Sequence, residues 1–525
     1  MSGARGGAHR VRVAALLGLL ASVAGCEARD DGADAHVEDA PAHDAGRIDD
    51  AFVAPDGGPA IPELPLAMRC EITPPSLETA RLVADGTRFR DALGREVWLR
   101  GANMGGRNKW APFLPFELVR DEDFEGRATA LVDQLAGWGL DVVRLPFSWE
   151  ALEPERGRYD EAYLDRLARL MELAWARGMR VILDFHQDVY ASPFCGDGFP
   201  LWTLGALAHG PPRHDCGLSW GTQYGDVESG VPAAFERFWT NADGIEDAFV
   251  AMWEHVVARF AAHPAIVAYE LLNEPGWGEA GRVEMESRLL PELVERLAPR
   301  LAAIDGDALF VQGGAGLDAV EASTSMREPA VSGLVYGPHL YDAQTIVGGR
   351  YNRARPIGLR ATRLHDVGVA WDVPIVFGEF NAAWDGRDAS LFLRDLYDAY
   401  DALGASATIW EVSLTDEAWN GERLDLVTAD GTERPQVDEV VRAYPRATAG
   451  RVERFLWLAD RHVAILASSE GDAGAVSELF VPPRHVGNSP EIRLDRGCVA
   501  WEAASGRLWV RSEGAGFTLV VRPSP

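Results

Sequence analysis

Residues 266–275 read IVAYELLNEP, a short apolar, strand-like run that ends abruptly in Asn-Glu-Pro. Runs of this kind, each followed by a helical pattern, recur along the chain and are typical of βαβ units. The predicted strands are Val97–Ala102, Asp141–Phe147, Arg180–His186, Ile266–Leu272, Leu309–Gln312, Leu334–His339, Pro374–Glu379 and Ala407–Val412. Repeats of this number and length predict an α/β fold, a (β/α)8 TIM barrel. A doubly wound sheet is disfavoured, because no glycine-rich phosphate loop follows the first strand.

Two further regions flank the predicted barrel, which we place at residues 66–442. Short alternating segments without a helical stripe predict a small C-terminal antiparallel β-sandwich at residues 443–525. Residues 27–65 are rich in Asp, Ala, Gly and Pro and hold few large apolar side chains. Such a segment buries too little surface to offset the cost of ordering, so we predict a disordered acidic linker.

The first 26 residues are predicted to be a targeting segment rather than part of the fold. Basic residues between positions 5 and 12 precede an apolar run at 13–24, which ends in Val-Ala-Gly-Cys at Cys26. Small residues before a cysteine resemble a bacterial lipobox, in which that cysteine becomes lipidated. The alternative is an ordinary secretory signal with an incidental cysteine. We therefore expect an exported protein, held on a bacterial membrane surface by a lipid anchor or secreted.

Four cysteines follow the targeting segment, and an even number in an oxidising compartment predicts two disulfides. Cys195 and Cys216 bracket one loop rich in Gly and Pro and form the predicted pair. That choice leaves Cys70 to pair with Cys498, although the spacing alone does not fix the connectivity. Neither the spacing nor the residue types suggest a metal site.

The composition excludes some partners. With 80 acidic against 50 basic residues, the formal net charge is −30, which argues against nucleic acid as a partner because phosphate binding needs basic patches. Seventeen tryptophans suggest aromatic platforms for sugar rings, although core packing explains most of them. We expect the protein to act as a monomer.

Two glutamates form the predicted catalytic pair. Glu274 and Glu379 end the fourth and seventh strands, so they face each other across the mouth of the barrel. Retaining glycoside hydrolysis needs two carboxyl groups ~5–5.5 Å apart, one as nucleophile and one as acid/base, and needs no cofactor. The alternative is a scatter of structural residues, because an Asn-Glu-Pro or Gly-Glu-Phe turn is a weak signal by itself.

Other polar residues stand at further strand ends. We expect Asn273 to hydrogen-bond the sugar 2-hydroxyl and Arg144 to keep the nucleophile ionised. His339 and Tyr341 are expected to position the nucleophile, and Trp410 to form the floor under the sugar ring. An ordered set at successive strand ends indicates a catalytic site more often than a structural one.

This set resembles the residue constellation of glycoside hydrolase family 5. Its members here are Arg144, His186, Asn273, Glu274, His339, Tyr341, Glu379 and Trp410. The resemblance spans the whole barrel and implies a retaining mechanism, with Glu274 as acid/base and Glu379 as nucleophile.

A narrower resemblance points to the endoglycoceramidase branch of that family. It rests on LRGAN at 99–103, KWAPF at 109–113, DFHQDVY at 184–190 and GFPLW at 198–202. Enzymes of this branch carry a C-terminal β-sandwich and cut the bond between an intact glycan and ceramide. The resemblance implies that Lys109 and Asp188 contact the sugar next to the lipid. The chain departs from the branch at Phe185 and Phe199 and in a loop holding Cys216, which leaves the glycan and aglycone open.

Three functions therefore compete. The sequence favours a retaining β-glycoside hydrolase that releases glycans from glycosphingolipids. A family 5 β-glucanase or steryl β-glucosidase is the alternative, and a non-catalytic glycan-binding lipoprotein is a remote one. Apolar residues at 194–204 form either a lip for a lipid tail or a small core under a long loop.

Overall fold

The computed structural model describes residues 60–524 of the chain. The predicted targeting segment, its lipobox Cys26 and most of the predicted linker lie outside the described residues.

Eight parallel strands form the barrel. They are Arg100–Asn103, Val142–Phe147, Arg180–Phe185, Ile266–Glu270, Phe310–Gln312, Leu334–Tyr336, Val376–Phe377 and Ser406–Ile409. Successive strands pair in parallel from the first to the sixth, and the eighth pairs with both the seventh and the first. Single bridges, Tyr336↔Ile375 and His339↔Glu379, connect the sixth strand to the seventh and complete the ring. The predicted TIM barrel is thus confirmed, with strand limits that differ by a few residues.

Helices follow the barrel strands along the chain. The longer ones are Phe124–Gly137, Glu161–Trp175, Val231–Trp239, Ile245–Phe260, Leu290–Ala302, Ile357–Ala370 and Ala389–Leu403. Shorter α-helices are Trp149–Leu152, Arg282–Glu284, Gly316–Glu321, Ala343–Gly348, Val437–Val440 and Pro483–Val486. Apolar faces of these helices pack on the strands, as in Glu161–Trp175, which buries Leu164, Leu167 and Leu170. Its N-terminus is capped by Asp160, whose carboxylate accepts a hydrogen bond from the Tyr163 amide at 3.1 Å.

The C-terminal region is built of two sheets. Its strands are Tyr444–Thr448, Val452–Leu458, Val463–Ser468, Val476–Phe480, Glu491–Leu494, Cys498–Glu502, Arg507–Arg511 and Phe517–Arg522. The second, third, fifth and last of these form a four-stranded antiparallel sheet. The remaining four belong to an eight-stranded sheet. Antiparallel sheets at the C-terminus were predicted.

The eight-stranded sheet also contains the first strands of the described chain. These are Met68–Arg69, Val83–Asp85, Arg88–Arg90 and Glu96–Val97. Met68 pairs in parallel with Cys498, so the beginning and the end of this unit are neighbours in one sheet. The chain therefore enters the barrel from the sheet to which it later returns.

Both predicted disulfides are present. Cys70 is bonded to Cys498 beside that parallel pair of strands, and Cys195 is bonded to Cys216 across a loop on the barrel. Disulfides of this kind persist in oxidising compartments and fit an extracellular protein. Among residues 60–524, no helix combines the length and apolar character that crossing a bilayer requires.

Candidate active site

The eight residues expected at the strand ends come together in one network of contacts at the mouth of the barrel. Arg144 lies within the second strand, and the others follow the third, fourth, sixth, seventh and eighth strands. Hydrogen bonds or ring contacts join each to another member of the set: Arg144, His186, Asn273, Glu274, His339, Tyr341, Glu379 and Trp410. Lys109 and Asp188 lie beside this network.

The two glutamates face each other. One carboxylate oxygen of Glu274, one of Glu379 and a ring nitrogen of His339 all lie within 4.8 Å of one another. Glu379 is 5% exposed, and the side chain of Glu274 is 13% exposed. Both carboxyl groups are therefore shielded from solvent while remaining close to each other.

The surroundings push the two pKa values apart. Burial raises the pKa of Glu274, and the charge of Glu379 raises it further. Burial also acts on Glu379, but the charges of His339, Arg144, His186 and Lys109 outweigh it and lower the pKa of that carboxyl. One group is thus biased toward the acid form and the other toward the carboxylate, the division that an acid/base and a nucleophile require.

Arg144 connects several buried side chains at the bottom of the site. Its side chain is fully buried, and it binds Glu270 through two nitrogens at 2.6 and 2.7 Å. It also donates to Glu379 at 2.7 Å and to the side-chain oxygen of Asn273 at 2.8 Å. A further ion pair joins it to Asp184 at 3.1 Å. Arg144 therefore compensates three buried carboxylates at once.

Substituting Arg144 by methionine is expected to destabilise the fold by at least ~3–5 kcal/mol, because removing one partner leaves buried charges uncompensated. Chemical denaturation followed by circular dichroism measures this loss. Arg259→Met is the matched control, since its ion pair with Asp165 joins side chains that are 40% and 69% exposed. Equal midpoints for the two variants would contradict the role given to Arg144.

His339 lies between the two glutamates. Its Nδ1 is 2.7 Å from Oε1 of Glu274 and 3.7 Å from Oε2 of Glu379. Burial opposes protonation of this ring, but Glu379, Glu270 and Glu274 together raise its pKa to about 10. Tyr341 donates its hydroxyl to Oε2 of Glu379 at 3.0 Å. A cationic ring and a phenol therefore orient the two carboxylates.

The backbone of Glu274 is held in an unusual conformation. Its φ is +38°, a region that residues other than glycine rarely occupy and that is often found at functional sites. Gln187 donates to the carbonyl oxygens of Asn273 and Glu274, each at 2.7 Å, and the Tyr224 hydroxyl donates to that of Glu274 at 3.2 Å. A β-carbon at Gly316 would lie 2.6 Å from Oε2 of Glu274, so a larger residue there would displace this carboxylate.

Aromatic rings lie beside the catalytic residues. The ring of Trp410 stacks on His186 with centroids 5.0 Å apart and an interplanar angle of 10°. The ammonium of Lys109 forms an ion pair with Asp188 and lies 4.6 Å from the Trp410 ring and 3.8 Å from the Trp419 ring. Lys109 and Asp188 are both buried beside the catalytic network.

Several residues of the site were not predicted from the sequence. Glu270 and Asp184 could have been found, because each is a carboxylate within an otherwise apolar strand. Glu422, whose carboxyl interacts electrostatically with Lys109 and Glu379, also belongs to the site. Tyr224, Trp419 and Glu422 come from long loops, where no periodic pattern marks them.

The apolar side chains of the loop at residues 194–204 pack into a small core under the loop and do not form an exposed lip for a lipid tail. Phe194, Phe199 and Leu204 are 5%, 0% and 0% exposed, and Phe199 stacks on Tyr190 at 4.2 Å. Only the neighbouring Leu201 and Trp202 keep partial exposure within this group. The loop's apolar side chains therefore stabilise the loop itself.

Sequence comparison identifies the class of protein. The family model described as Cellulase (glycosyl hydrolase family 5) matches residues 102–415 of the 525. The chain belongs to glycoside hydrolase family 5 and is a glycoside hydrolase.

Within the family, the chain is similar to endoglycoceramidases. Endoglycoceramidase I of Rhodococcus hoagii is 27% identical over 470 residues, which are 84% of this chain and 88% of the relative. Endo-glycoceramidase II from Rhodococcus sp. was solved with ganglioside GM3 and superposes with a TM-score of 0.70 at 26% identity, covering 84% of this chain and 100% of that chain. The same enzyme was solved as a lactosyl-enzyme intermediate, with a TM-score of 0.68 at 25% identity and coverage of 83% and 99%. Sterylglucosidase 1 of Cryptococcus neoformans shares the fold, with a TM-score of 0.69 at 16% identity and coverage of 85% and 98%.

Proposed function

We propose that this protein is a retaining β-glycoside hydrolase that cleaves the bond between the glycan and the lipid of glycosphingolipids. The observation that carries the proposal is the pair of facing carboxyl groups, whose nearest oxygens lie within 4.8 Å and whose pKa values are shifted in opposite directions. Such a separation suits direct attack by one carboxylate, because an inverting enzyme needs ~6.5–9.5 Å to admit a water molecule.

The reaction proceeds by double displacement. In the first step the carboxylate of Glu379 attacks the anomeric carbon while Glu274 donates its proton to the glycosidic oxygen, so the lipid leaves as an alcohol. In the second step Glu274 takes a proton from water, which attacks the same carbon and releases the glycan from Glu379. The lactosyl-enzyme intermediate of the Rhodococcus relative supports this order of events.

Neighbouring residues serve these two steps. Arg144 and Tyr341 hold the carboxylate of Glu379 by hydrogen bonds at 2.7 and 3.0 Å and keep it ionised. Asn273, whose side-chain oxygen is anchored by Arg144, is placed to bind the 2-hydroxyl of the sugar. Trp410 supplies the floor beneath that sugar, and Lys109 with Asp188 supplies polar contacts at its edge.

Similarity to endoglycoceramidases along most of both chains supports a lipid aglycone. Incubation with mixed glycosphingolipids, followed by thin-layer chromatography, is expected to yield ceramide and intact oligosaccharides. Cleavage of glucan oligomers alone would contradict the proposal. Release of free sterol from a steryl glucoside, with no release of ceramide, would instead support the steryl β-glucosidase alternative that the shared fold leaves open.

The pH dependence of kcat/KM is expected to be bell-shaped. Activity falls on the acidic side as pH drops through the pKa of Glu379, which lies below its ordinary value, because the nucleophile must be ionised. Activity falls on the basic side as pH rises through the pKa of Glu274, which lies above its ordinary value, because the acid must be protonated. The two apparent values belong to the coupled pair.

His339→Asn should move both limbs of this profile to higher pH, because the charge of His339 lowers the pKa of both glutamates. Initial rates in buffers of constant ionic strength, from acidic to alkaline pH, give the profile. His209→Asn, at an exposed position, serves as the control. A downward shift or an unchanged profile would contradict the electrostatic role of His339.

We also infer that Cys26 carries a lipid anchor that holds the exported enzyme at a membrane surface, and that the folded unit acts as a monomer. Wild-type protein is then expected in the membrane pellet and Cys26→Ser in the soluble fraction. Retention of both in the pellet would refute the anchor. Size-exclusion chromatography of the enzyme without its targeting segment tests the oligomeric state, and elution as a dimer would refute the monomer.

A further inference from the structure

Two long loops at the mouth of the barrel meet at Asn420. The loop after the third strand, here the third loop, carries the Cys195–Cys216 disulfide, and Asn420 lies in the loop after the eighth strand. The side chain of Asn420 donates to the carbonyl oxygen of Cys195 at 2.8 Å and accepts from the amide of Cys216 at 3.0 Å. Its own amide donates to the carbonyl oxygen of His214 at 2.7 Å. One residue therefore binds both halves of the disulfide.

Asparagine suits this position for two reasons. Asn420 is 1% exposed, and a buried side-chain amide has to be hydrogen-bonded at both its oxygen and its nitrogen, as it is here. Its φ is +50°, in the left-handed region that asparagine tolerates better than most residues with a β-carbon. Glycine would adopt the same backbone conformation but would lose both side-chain hydrogen bonds. The two requirements together indicate a specific contact between the loops.

The residue before Asn420 contacts the active site. Trp419 is 3% exposed, and the centre of its ring lies 3.8 Å from the ammonium of Lys109. From the third loop, Trp220 packs against this ring with centroids 4.8 Å apart and an interplanar angle of 63°. Trp220 also donates its indole N–H at 3.1 Å to Glu422, whose carboxyl interacts electrostatically with Lys109. The third loop therefore supports two residues that surround Lys109.

The ammonium of Lys109 depends on its neighbours for its position. A lysine ammonium sits on a flexible stem of four carbons, so only the groups around it fix where it lies. These groups include the carboxylate of Asp188 and the indoles of Trp410 and Trp419. Asp188 and Trp410 closely follow barrel strands, whereas Trp419 lies in a long loop. Trp419 therefore needs a further contact to keep its place, and the neighbouring Asn420 supplies one.

We propose that Asn420 is a positioning residue, which connects the disulfide-linked third loop to the eighth and thereby holds the indole of Trp419 against the ammonium of Lys109. The inference rests on the proposed function, in which Lys109 contacts the sugar. Asn420 itself does not touch the substrate and acts through Trp419 and Lys109.

Asn420→Gly keeps the left-handed backbone accessible and removes both side-chain hydrogen bonds. It should lower kcat/KM for lactosylceramide in detergent micelles about 10-fold, because a small displacement of a group that positions the substrate is costly. Asn420→Asp can still accept from the Cys216 amide but cannot donate to Cys195, so its loss should be smaller, about threefold. His462→Gly is the matched control, since His462 also has a left-handed φ, +51°, but lies between two strands of the C-terminal sheets.

A double-mutant cycle with Lys109→Met separates positioning from a general loss of structure. If Asn420 acts through Lys109, Asn420→Gly should cost less than about twofold once the ammonium is absent, because residues that act as one unit are not additive. Equal losses in both backgrounds would mean that Asn420 only stabilises the loop, and would overturn the proposal. If Lys109→Met does not fold, as judged by circular dichroism, Trp419→Leu replaces it in the cycle.

Removing the disulfide tests the other side of the contact. Cys195→Ser/Cys216→Ser should also lower kcat/KM, because the two backbone groups that Asn420 binds are no longer linked, and Asn420→Gly should add little to this loss. Cys70→Ser/Cys498→Ser removes the disulfide of the C-terminal sheets and should leave the rate unchanged below the thermal midpoint. Equal losses in the two double variants would contradict the part given to the third loop.

The inference and the proposed function can fail separately. An unchanged rate for Asn420→Gly would overturn the inference and leave the proposed function intact. A wild-type enzyme that leaves glycosphingolipids uncleaved would refute the proposed function, and the same cycle on an aryl β-glycoside would still test Asn420.

Discussion

Glu379→Gln is expected to reduce kcat by roughly 10⁴-fold or more, because the glycosyl-enzyme ester cannot form without the carboxylate. The amide keeps the size of the side chain and can still accept a hydrogen bond from Arg144 or Tyr341. The fold should therefore remain intact while turnover is lost. Initial rates on a ceramide substrate, together with the thermal midpoint, measure the two effects separately.

Glu453→Gln, at an exposed position, controls for the amide substitution and should retain full activity. A Glu379→Gln variant with substantial activity would overturn the assignment of the nucleophile.

Glu274→Gln is expected to slow cleavage by an amount that depends on how good the leaving group is. A lipid alcohol is a poor leaving group and needs a proton, so kcat/KM for ceramide substrates should fall ~10²–10⁴-fold. An aryl glycoside with a dinitrophenolate leaving group needs little protonation, so its kcat/KM should change far less. Comparing kcat/KM on the two substrates gives the contribution of the acid alone.

The exposed Glu279, which follows Glu274 on the same loop, gives a matched control through Glu279→Gln. Similar losses on both substrates would show that Glu274 supports the geometry of the site and is not the proton donor. Added azide should restore turnover of the aryl substrate by replacing water in the second step, where Glu274 otherwise acts as base.

Local sequence patterns were sufficient to predict the barrel. Runs such as IVAYELL are largely apolar because both faces of a parallel strand are buried, so they stand out from the helical segments around them. The polar residue that ends each run marks the catalytic mouth, which explains why the sequence alone predicts Glu274 and Glu379 as a pair. The predicted strand limits were less accurate, since the hydrogen bonds between neighbouring strands end before the apolar pattern in the sequence does.

Long-range pairing and loop contacts could not be predicted in the same way. Met68 pairs with Cys498, although most of the chain lies between them in sequence. Neither segment carries a local pattern from which the other could be identified. Gln187 and Tyr224 act on Glu274 through its backbone, a contact that depends on how two loops meet.

The Cys70–Cys498 disulfide has a mechanical consequence. Any pull on the chain that precedes residue 64 is transmitted first to the contacts of residues 64–66 with Arg493 and Leu494. It then reaches the sheet pairing at Met68 and the covalent link at Cys70. That link passes the load to the last part of the chain and bypasses the eight barrel strands. An enzyme attached at one end, in a flowing or crowded medium, would thus bear tension in its accessory sheet while the geometry of its catalytic strands stays undisturbed.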